Sequence, residues 1–387
     1  MKPFHQIPFL DLSLQFQSIQ EELENAALRV LRSGQYIMGQ EVNAFEKNFA
    51  AFVGSQYAVG VASGTDAIFL ALKALGIGPG DDVLTVANVS APTVCAILAA
   101  QARPVLIDID PKTFNMDPNC LSEYLKNSES RRTARAIIPI HLYGRAADMI
   151  SIKSIAREYQ LAILEDASQA HGATVNGIKV GTMGDIGCFS LYPTKNLGAC
   201  GDAGVIVAEN QLTVAKLKML RNYGEKDRYD NYLVGVNSRL DEIQAALLNV
   251  KLKYLDHWTQ RRREIASQYN QAFLNLGLNV PGESQENLEG HVYHLYVMNV
   301  ENRNQFREDL LQLGIGTAIH YPKPIHHQDS FRNVCLQANE LEATQWACRT
   351  ILSLPLYPEM SESDVDSVCK SIDQLVRGRR WTLPNTA

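Results

Sequence analysis

The chain has little cysteine, and what it has is scattered. Seven residues (Cys95, Cys120, Cys188, Cys200, Cys335, Cys348 and Cys369) are spread through 387 positions with no Cys-x-x-Cys spacing. Neither a disulfide framework nor a zinc site is indicated by that pattern. No apolar run approaches the ~20 residues a membrane helix needs, and the N-terminus lacks the charged-then-apolar order of a secretion signal. The expectation is therefore a cytoplasmic protein in a reducing environment, with no membrane partner. Positive charge is also in short supply: 36 Lys and Arg against 42 Asp and Glu leave a net charge of −6. The short runs Arg261-Arg262-Arg263 and Arg377-Gly378-Arg379-Arg380 read as solvated helix faces, so no nucleic-acid partner is expected. Internal repeats and low-complexity tracts are absent as well. What remains is 46% hydrophobic and 20% charged, enough for a sizeable core and unlike a mostly disordered chain.

Length and rhythm point to two domains behind an N-terminal arm. Residues 1–33 read as an arm and a helix, with apolar residues at helical period from Ile19 to Leu31 and a stop at Ser33-Gly34. Glu41 to Phe52 reads as a second amphipathic helix. From Tyr57, short β-branched runs (57–61, 83–86, 105–108, 136–140, 162–165 and 204–207) alternate with helical stretches (67–75, 93–100, 148–159 and 212–221). That alternation predicts an α/β fold with a mostly parallel central sheet, assigned to a large domain over residues 34–255. A long helical region from Asn237 to about Phe273, kinked near Asp256, leads into a smaller α+β C-terminal domain over 256–387. There 294–300 and 314–320 read as strands, 303–313 and 361–375 as helices, and 381–387 as a frayed tail.

In such sheets ligands sit beyond the carboxyl ends of the strands, and three motifs fall there. Ser63-Gly64-Thr65 follows the first strand and opens a helix. Amides at a helix N-terminus beside two hydroxyls suit a phosphate, although the same residues would make an ordinary helix cap. Asp166 ends an apolar strand, where a cationic partner such as a pyridinium nitrogen would keep it ionised. A solvated strand-end acid, or a metal ligand together with His171, is the alternative, with no third ligand near in sequence. Lys195 follows an aromatic strand and sits among Leu191, Tyr192 and Leu197, which lowers an amine's pKa and prepares it for Schiff-base chemistry. Each signal alone is weak. Together they supply the amine, the phosphate cradle and the carboxylate that a pyridoxal-phosphate enzyme requires.

The strings Glu165-Asp-x-x-Gln-x-His-Gly172 and Phe189-Ser-x-Tyr-Pro-x-Lys-Asn-Leu-Gly198 resemble the DegT/DnrJ/StrS nucleotide-sugar aminotransferases. That family lies within the fold-type-I, aspartate-aminotransferase-like pyridoxal-phosphate enzymes. The likeness runs from Gly39-x-Glu41 to Ser353-Leu-Pro355. It implies that Lys195 carries the cofactor as a Schiff base and shuttles the proton. It implies further that Asp166 pairs with the pyridine nitrogen, Gln169 bonds the 3-hydroxyl, and Gly64, Thr65 and Ser190 bind the phosphate. Asn237 is expected to reach the phosphate of a partner subunit, which makes a homodimer with shared active sites. His320 and Tyr321 are expected near the sugar nucleotide, packing between the domains being the plainer role for them.

Two positions depart from the pattern. Many relatives carry an aromatic ring or histidine after the second strand, stacked on the cofactor; here the stretch is Ala87-Asn88-Val89-Ser90, and Asn88 is the expected stacking residue. Ser168 replaces the more usual alanine or cysteine. Relatives with histidine in place of the lysine act as dehydratases, so Lys195 favours transamination, with L-glutamate as donor and pyridoxamine phosphate in the cycle. Asn237-Ser-Arg-Leu-Asp-Glu-Ile-Gln-Ala-Ala246 followed by Lys251-Leu252 resembles the branch acting on 3-keto sugars. The expected acceptor is a dTDP-linked 3-keto-6-deoxyhexose, giving a 3-amino-3,6-dideoxy sugar nucleotide. A 4-keto acceptor, a dehydratase and a non-catalytic regulator are the alternatives.

Overall fold

The computed structural model describes residues 6–276, 278 and 290–379. The expected tail at 381–387 lies outside them. The strands are β1 (Tyr57–Val61), β2 (Asp82–Val86), β3 (Arg103–Ile107), β4 (Ala134–Ile137), β5 (Ala162–Asp166), a small hairpin of β6 (Thr174–Val175) and β7 (Ile178–Lys179), then β8 (Ile186–Ser190) and β9 (Gly204–Ala208). A second hairpin, β10 (Glu225–Asp227) and β11 (Asp230–Asn231), precedes β12 (Tyr296–Asn299), β13 (Leu336–Gln337) and β14 (Ile351–Leu354). Eight of them form the central sheet in the order β1-β9-β8-β5-β4-β2-β3-β13. All run parallel except β9, which is antiparallel to both of its neighbours. The carboxyl ends of β1, β2, β5 and β8 therefore share one edge, and β9 begins there.

Both faces of the sheet are buried, as a parallel sheet requires. Val83 and Leu84 are each fully buried yet belong to different apolar clusters, because successive strand residues point to opposite faces. Helices α1 (Leu12–Ser18), α2 (Gln20–Ser33) and α3 (Gln40–Val53) precede the sheet, and α4 (Gly64–Leu75), α5 (Ala91–Ala99), α6 (Pro118–Lys126), α7 (Ser128–Thr133), α8 (Met149–Tyr159) and α9 (Gln211–Leu220) intervene along it. Helices α10 (Glu242–Leu252) and α11 (Leu255–Asn275) meet at the break expected near Asp256. Helices α12 (Arg303–Gln312), α13 (Glu342–Thr350) and α14 (Glu362–Arg379) follow.

Four expectations are corrected. The single N-terminal helix is two, because Ile19 leaves the helical region (φ −134°) between α1 and α2. Residues 314–320 form no strand: Gly314 takes φ +81°, and only single bridges link Ile315 to Ile7 and Ala318 to Ser353. The partner of β12 is β14 instead. Part of the C-terminal region also joins the large sheet, whose expected strands all lay within residues 57–207, since β13 pairs with β3. Finally, Arg262 is not on a solvated face; it is 4% exposed.

One long-range contact fixes how α3 begins. Gly39 occupies its N-cap and offers no side chain to the first amides. Glu242, at the start of α10, accepts them instead: Gly39 at 2.7 Å, Glu41 at 2.9 Å and Val42 at 3.0 Å. A Cβ at position 39 would stand 2.9 Å from Glu242 Oε2, so only glycine allows this approach. Glu242→Ala leaves those amides, the buried one of Val42 among them, without their acceptor and is expected to cost about 2 kcal/mol. A urea denaturation curve checks this; an unmoved midpoint would show that the cap contributes nothing.

Candidate active site

Chain geometry brings the strand-end motifs to one cavity of about 300 Å³. Its wall includes Gly64, Thr65, Asp166, Gln169, Ser190 and Lys195, together with Ser63, Val89, Ser90, Thr93, Ser168 and Ala203. Six of the residues singled out in the sequence thus converge.

The first helical turn of α4 begins where β1 ends. Ser63 caps it, its Oγ accepting the Asp66 amide at 3.1 Å, and the earlier amides of that turn have no intrahelical acceptor. Gly64 is bare backbone for a steric reason: a Cβ there would come within 2.6 Å of Ser190 Cβ, at the end of β8. Two strand ends are thereby held in contact, and the hydroxyls of Thr65 and Ser190 flank the helix N-terminus on the cavity wall.

Asp166 closes β5 and is 4% exposed. The Thr93 hydroxyl donates to its Oδ2 at 2.8 Å and the Ser168 amide to its Oδ1 at 3.1 Å. Both oxygens accept, so the carboxylate is fixed in orientation and ready to receive a further proton donor. Gln169 is clamped from two sides. Its Oε1 accepts the Tyr143 amide at 2.7 Å, and its Nε2 donates to the Tyr321 hydroxyl at 3.2 Å.

Lys195 sits on a loop that folds back on itself. Its amide donates to Tyr192 O at 2.8 Å, and Ala199 N donates to Leu191 O at 2.7 Å. Gly198 permits the return, because a Cβ there would strike Pro193 O at 2.3 Å. Burial pulls the Lys195 amine down to about 8, with Asp166 opposing. His171 is fully buried behind this loop against the Phe189 ring, and burial followed by the Lys195 charge pushes it to about 3. It is therefore a neutral ring. Among the described residues no three His, Cys, Asp or Glu side chains could together hold a metal ion, and no helix is long and apolar enough to cross a membrane.

The other expected residues lie off this wall. Asn88 is wholly buried, with Nδ2 3.4 Å from the Tyr143 hydroxyl, and Val89 and Ser90 face the cavity instead. His320 is turned to Ser353, Nδ1 to Oγ at 2.9 Å, while its carbonyl accepts the Tyr143 hydroxyl. Tyr321 reaches the site through Gln169 and Ser90. Asn237 is exposed, yet its neighbour Ser238 is pinned to the phosphate loop, donating to Asp66 Oδ2 at 2.7 Å and accepting the Ala62 amide at 3.1 Å. Sequence reasoning missed Thr93 and Tyr143. A hydroxyl in the first turn of the helix after β2 was the available signal for Thr93; nothing in the sequence marked Tyr143.

These residues fit pyridoxal phosphate. A helix N-terminus stripped of side chain at Gly64 and flanked by hydroxyls suits the phosphate, and the desolvated amine suits the aldehyde. Cavity and sheet edge together define a pyridoxal-phosphate enzyme of fold type I. The chain belongs to the DegT/DnrJ/EryC1/StrS aminotransferase family, whose family model matches residues 17–373. It is 42% identical over 368 residues to the dTDP-3-amino-3,6-dideoxy-alpha-D-galactopyranose transaminase of Aneurinibacillus thermoaerophilus, covering 95% of this chain and 99% of that one. It is 38% identical over 372 residues to the pleiotropic regulatory protein of Geobacillus stearothermophilus, covering 96% and 99%. The crystal structure of S. venezuelae DesV in complex with a ketimine intermediate superposes with a TM-score of 0.91 at 36% identity, covering 96% of this chain and 98% of that one.

Two outcomes follow from the geometry. Only the neutral amine attacks an aldehyde, so cofactor capture by the apoprotein should rise about tenfold per pH unit below the Lys195 pKa. It should level off above about 8; stopped-flow absorbance reads it, and a rise continuing to pH 10 would contradict the burial argument. Thr93→Val keeps the side-chain shape but removes the donor to Asp166, and is expected to weaken pyridoxal-phosphate binding about tenfold. Equilibrium dialysis would show this.

Proposed function

We propose that this protein transfers the amino group of L-glutamate to the keto carbon of a nucleotide-linked sugar in a ping-pong cycle. The observation that carries the reading is the placement of Lys195 and Asp166 on one cavity wall with the bare N-terminus of α4. Bound pyridoxal phosphate supplies a carbonyl that carries nitrogen between the two substrates and a ring that accepts electrons. The first-turn amides of α4, with Thr65 and Ser190, hold its phosphate. Asp166, oriented by Thr93 and Ser168, keeps a proton on its ring nitrogen, and Gln169 bonds its 3-hydroxyl. Lys195 Nζ would take the α-proton from the donor and give a proton back on the far side of the transferred nitrogen, a 1,3-shift, and would reverse these moves on the sugar. A pKa of about 8 suits an amine that must both accept and give a proton near neutral pH. Ile68, Val89, Ile140 and Leu142 on the wall limit water around that proton.

The acceptor is read as a 3-keto sugar, a dTDP-3-keto-6-deoxyhexose in particular. The Asn237–Ala246 string and the likeness to the Aneurinibacillus enzyme, whose name places its amino group at carbon 3, support this. A homodimer completes the site, with Asn237 reaching the phosphate of the second copy. The flanking segment supports that role: Tyr229 is 80%, Tyr232 74% and Val234 95% exposed, an apolar surface that a partner would cover. The name of the Geobacillus relative favours one other reading, a regulator that binds the same ligands. Against it, a binding module gains nothing from a desolvated lysine.

The holoenzyme's visible band, at about 410–430 nm, should fade when L-glutamate is added and return with the keto-sugar. Lys195→Ala should abolish both changes. A band that ignores every amino acid would favour the regulator, and single-turnover transfer by Lys195→Ala would sink the assignment of the proton shuttle.

A further inference from the structure

Lys195 stands on a loop, and a loop places a reacting group only as well as its anchors hold it. This loop is tied at Asn196, Gly198 and Cys200, every second residue after the lysine. Asn196 Nδ2 donates to Val292 O at 3.0 Å, and its Oδ1 faces His294 Nδ1 at 3.2 Å. Lys251 Nζ donates to Gly198 O at 2.8 Å, and Gln244 Oε1 accepts the Cys200 amide at 2.8 Å. Gln244 and Lys251 both belong to α10, two helical turns apart, so they share one face of that helix.

The middle anchor is the unexpected one. Lys251 is 6% exposed, and lysine is seldom buried. Burial draws its amine down, with Cys200 and Glu359 opposing. Packing alone does not call for a lysine: Ala245 and Leu248 of α10 already share one apolar cluster with Leu191, Leu197 and Ala199 of the loop. Desolvating an ammonium is costly. What it adds is a charge-assisted hydrogen bond, roughly twice as strong as a neutral one, on the carbonyl where the loop turns back. Lys251 does not line the cavity, so its effect on the chemistry passes through the loop.

Resting on the assignment of Lys195 as the residue that takes up pyridoxal phosphate, we propose that Lys251 is its positioning residue: by gripping the Gly198 carbonyl it keeps Lys195 on the cavity wall. Gly198 also lies against Pro193 O, where a Cβ would come within 2.3 Å, so the two limbs of the loop move together. A displacement of about 1 Å in a reacting group can cost up to about a hundredfold in rate. The N-terminus of α4, Asp166 and Gln169 stand on other elements and keep their places when Lys251 is lost. Its removal therefore harms the lysine's reaction and spares the cradle.

Pyridoxamine phosphate separates these two effects, because it fills the cradle but has no aldehyde for Lys195. In Lys251→Met, similar in length and without the donor, capture of pyridoxal phosphate by the apoprotein should slow about tenfold, read by stopped flow as growth of the visible band. The Kd for pyridoxamine phosphate, measured by equilibrium dialysis, should stay within about twofold of the unaltered value. Lys251→Arg keeps a charged donor and should restore part of the rate. An unchanged capture rate in Lys251→Met would overturn the proposal. So would equal weakening of both cofactor forms, the mark of a residue that only supports the fold. Should Lys251→Met fail to fold, Lys251→Gln decides, since its amide is one bond too short to reach Gly198 O. Slower capture at an unchanged pyridoxamine-phosphate Kd supports the role, and unchanged capture overturns it. No visible band in the unaltered protein would overturn the assignment of Lys195 and this proposal with it. Normal capture without fading by any amino acid would defeat the transamination reading alone.

Discussion

Two adjacent carboxylates at the end of β5 organise much of what surrounds the cavity. Strand alternation sends Glu165 and Asp166 to opposite faces of the sheet. Glu165 is wholly buried and accepts the amides of Gly184 at 2.6 Å, Met183 at 2.7 Å and Gly181 at 2.8 Å, with His141 Nε2 at 3.0 Å. His141 Nδ1 accepts the Ala147 amide at 3.0 Å, so the ring proton resides on Nε2 and points to Glu165. Burial alone would raise this carboxyl; His141 and the amides outweigh it and hold the group below its ordinary value. The same bonds fix the turn that launches β8, and β8 delivers Ser190 and Lys195. One strand end thus supplies a structural acid on one face and the chemical acid on the other.

Tyr143 joins that edge to the C-terminal region. Its amide holds Gln169, its hydroxyl donates to the His320 carbonyl, and Asn88 approaches the same oxygen. Gln169 then meets Tyr321, so two contacts, one through backbone and one through side chain, tie the cofactor wall to the 320–321 segment. Burial raises the Tyr143 hydroxyl well above its ordinary range, which keeps it a hydrogen-bond donor at any working pH. Hydrogen bonds to a single buried residue thus join the cavity wall to the 320–321 segment.

The parallel sheet and the strand-end site were legible because local patterns carry them. β-branched runs alternating with amphipathic stretches give the sheet, and Gly64, Asp166 and Lys195 follow strands by short, fixed steps. What escaped depends on contacts between distant segments. The β13–β3 pairing involves only Leu336 and Gln337, too short for any periodic signal. Residues 314–320 alternate like a strand, but Gly314 at φ +81° turns the chain, and the bonds go to Ile7 and Ser353 one at a time. Arg262 looked solvated because its neighbours are arginines, yet the periodicity of α11 places it on the buried side with Trp258, Ile265 and Tyr269. A charge inside an apolar helix face was the missed signal.

Electrostatics bears on why the chemistry would run in two separate steps. With a net charge of −6, the protein as a whole repels both anionic substrates of the proposed reaction. At physiological salt, charges act over only about 8 Å, so binding must come from groups lining the cavity. Positive groups on its wall are few: the N-terminus of α4 and Lys195. On the proposed reading the α4 terminus would hold the cofactor phosphate, and the Lys195 amine, at about 8, is charged only part of the time. A dicarboxylic donor and a nucleotide diphosphate could not both be satisfied there at once. On the proposed reading, releasing the keto acid before the sugar binds would let Lys195 serve each substrate in turn.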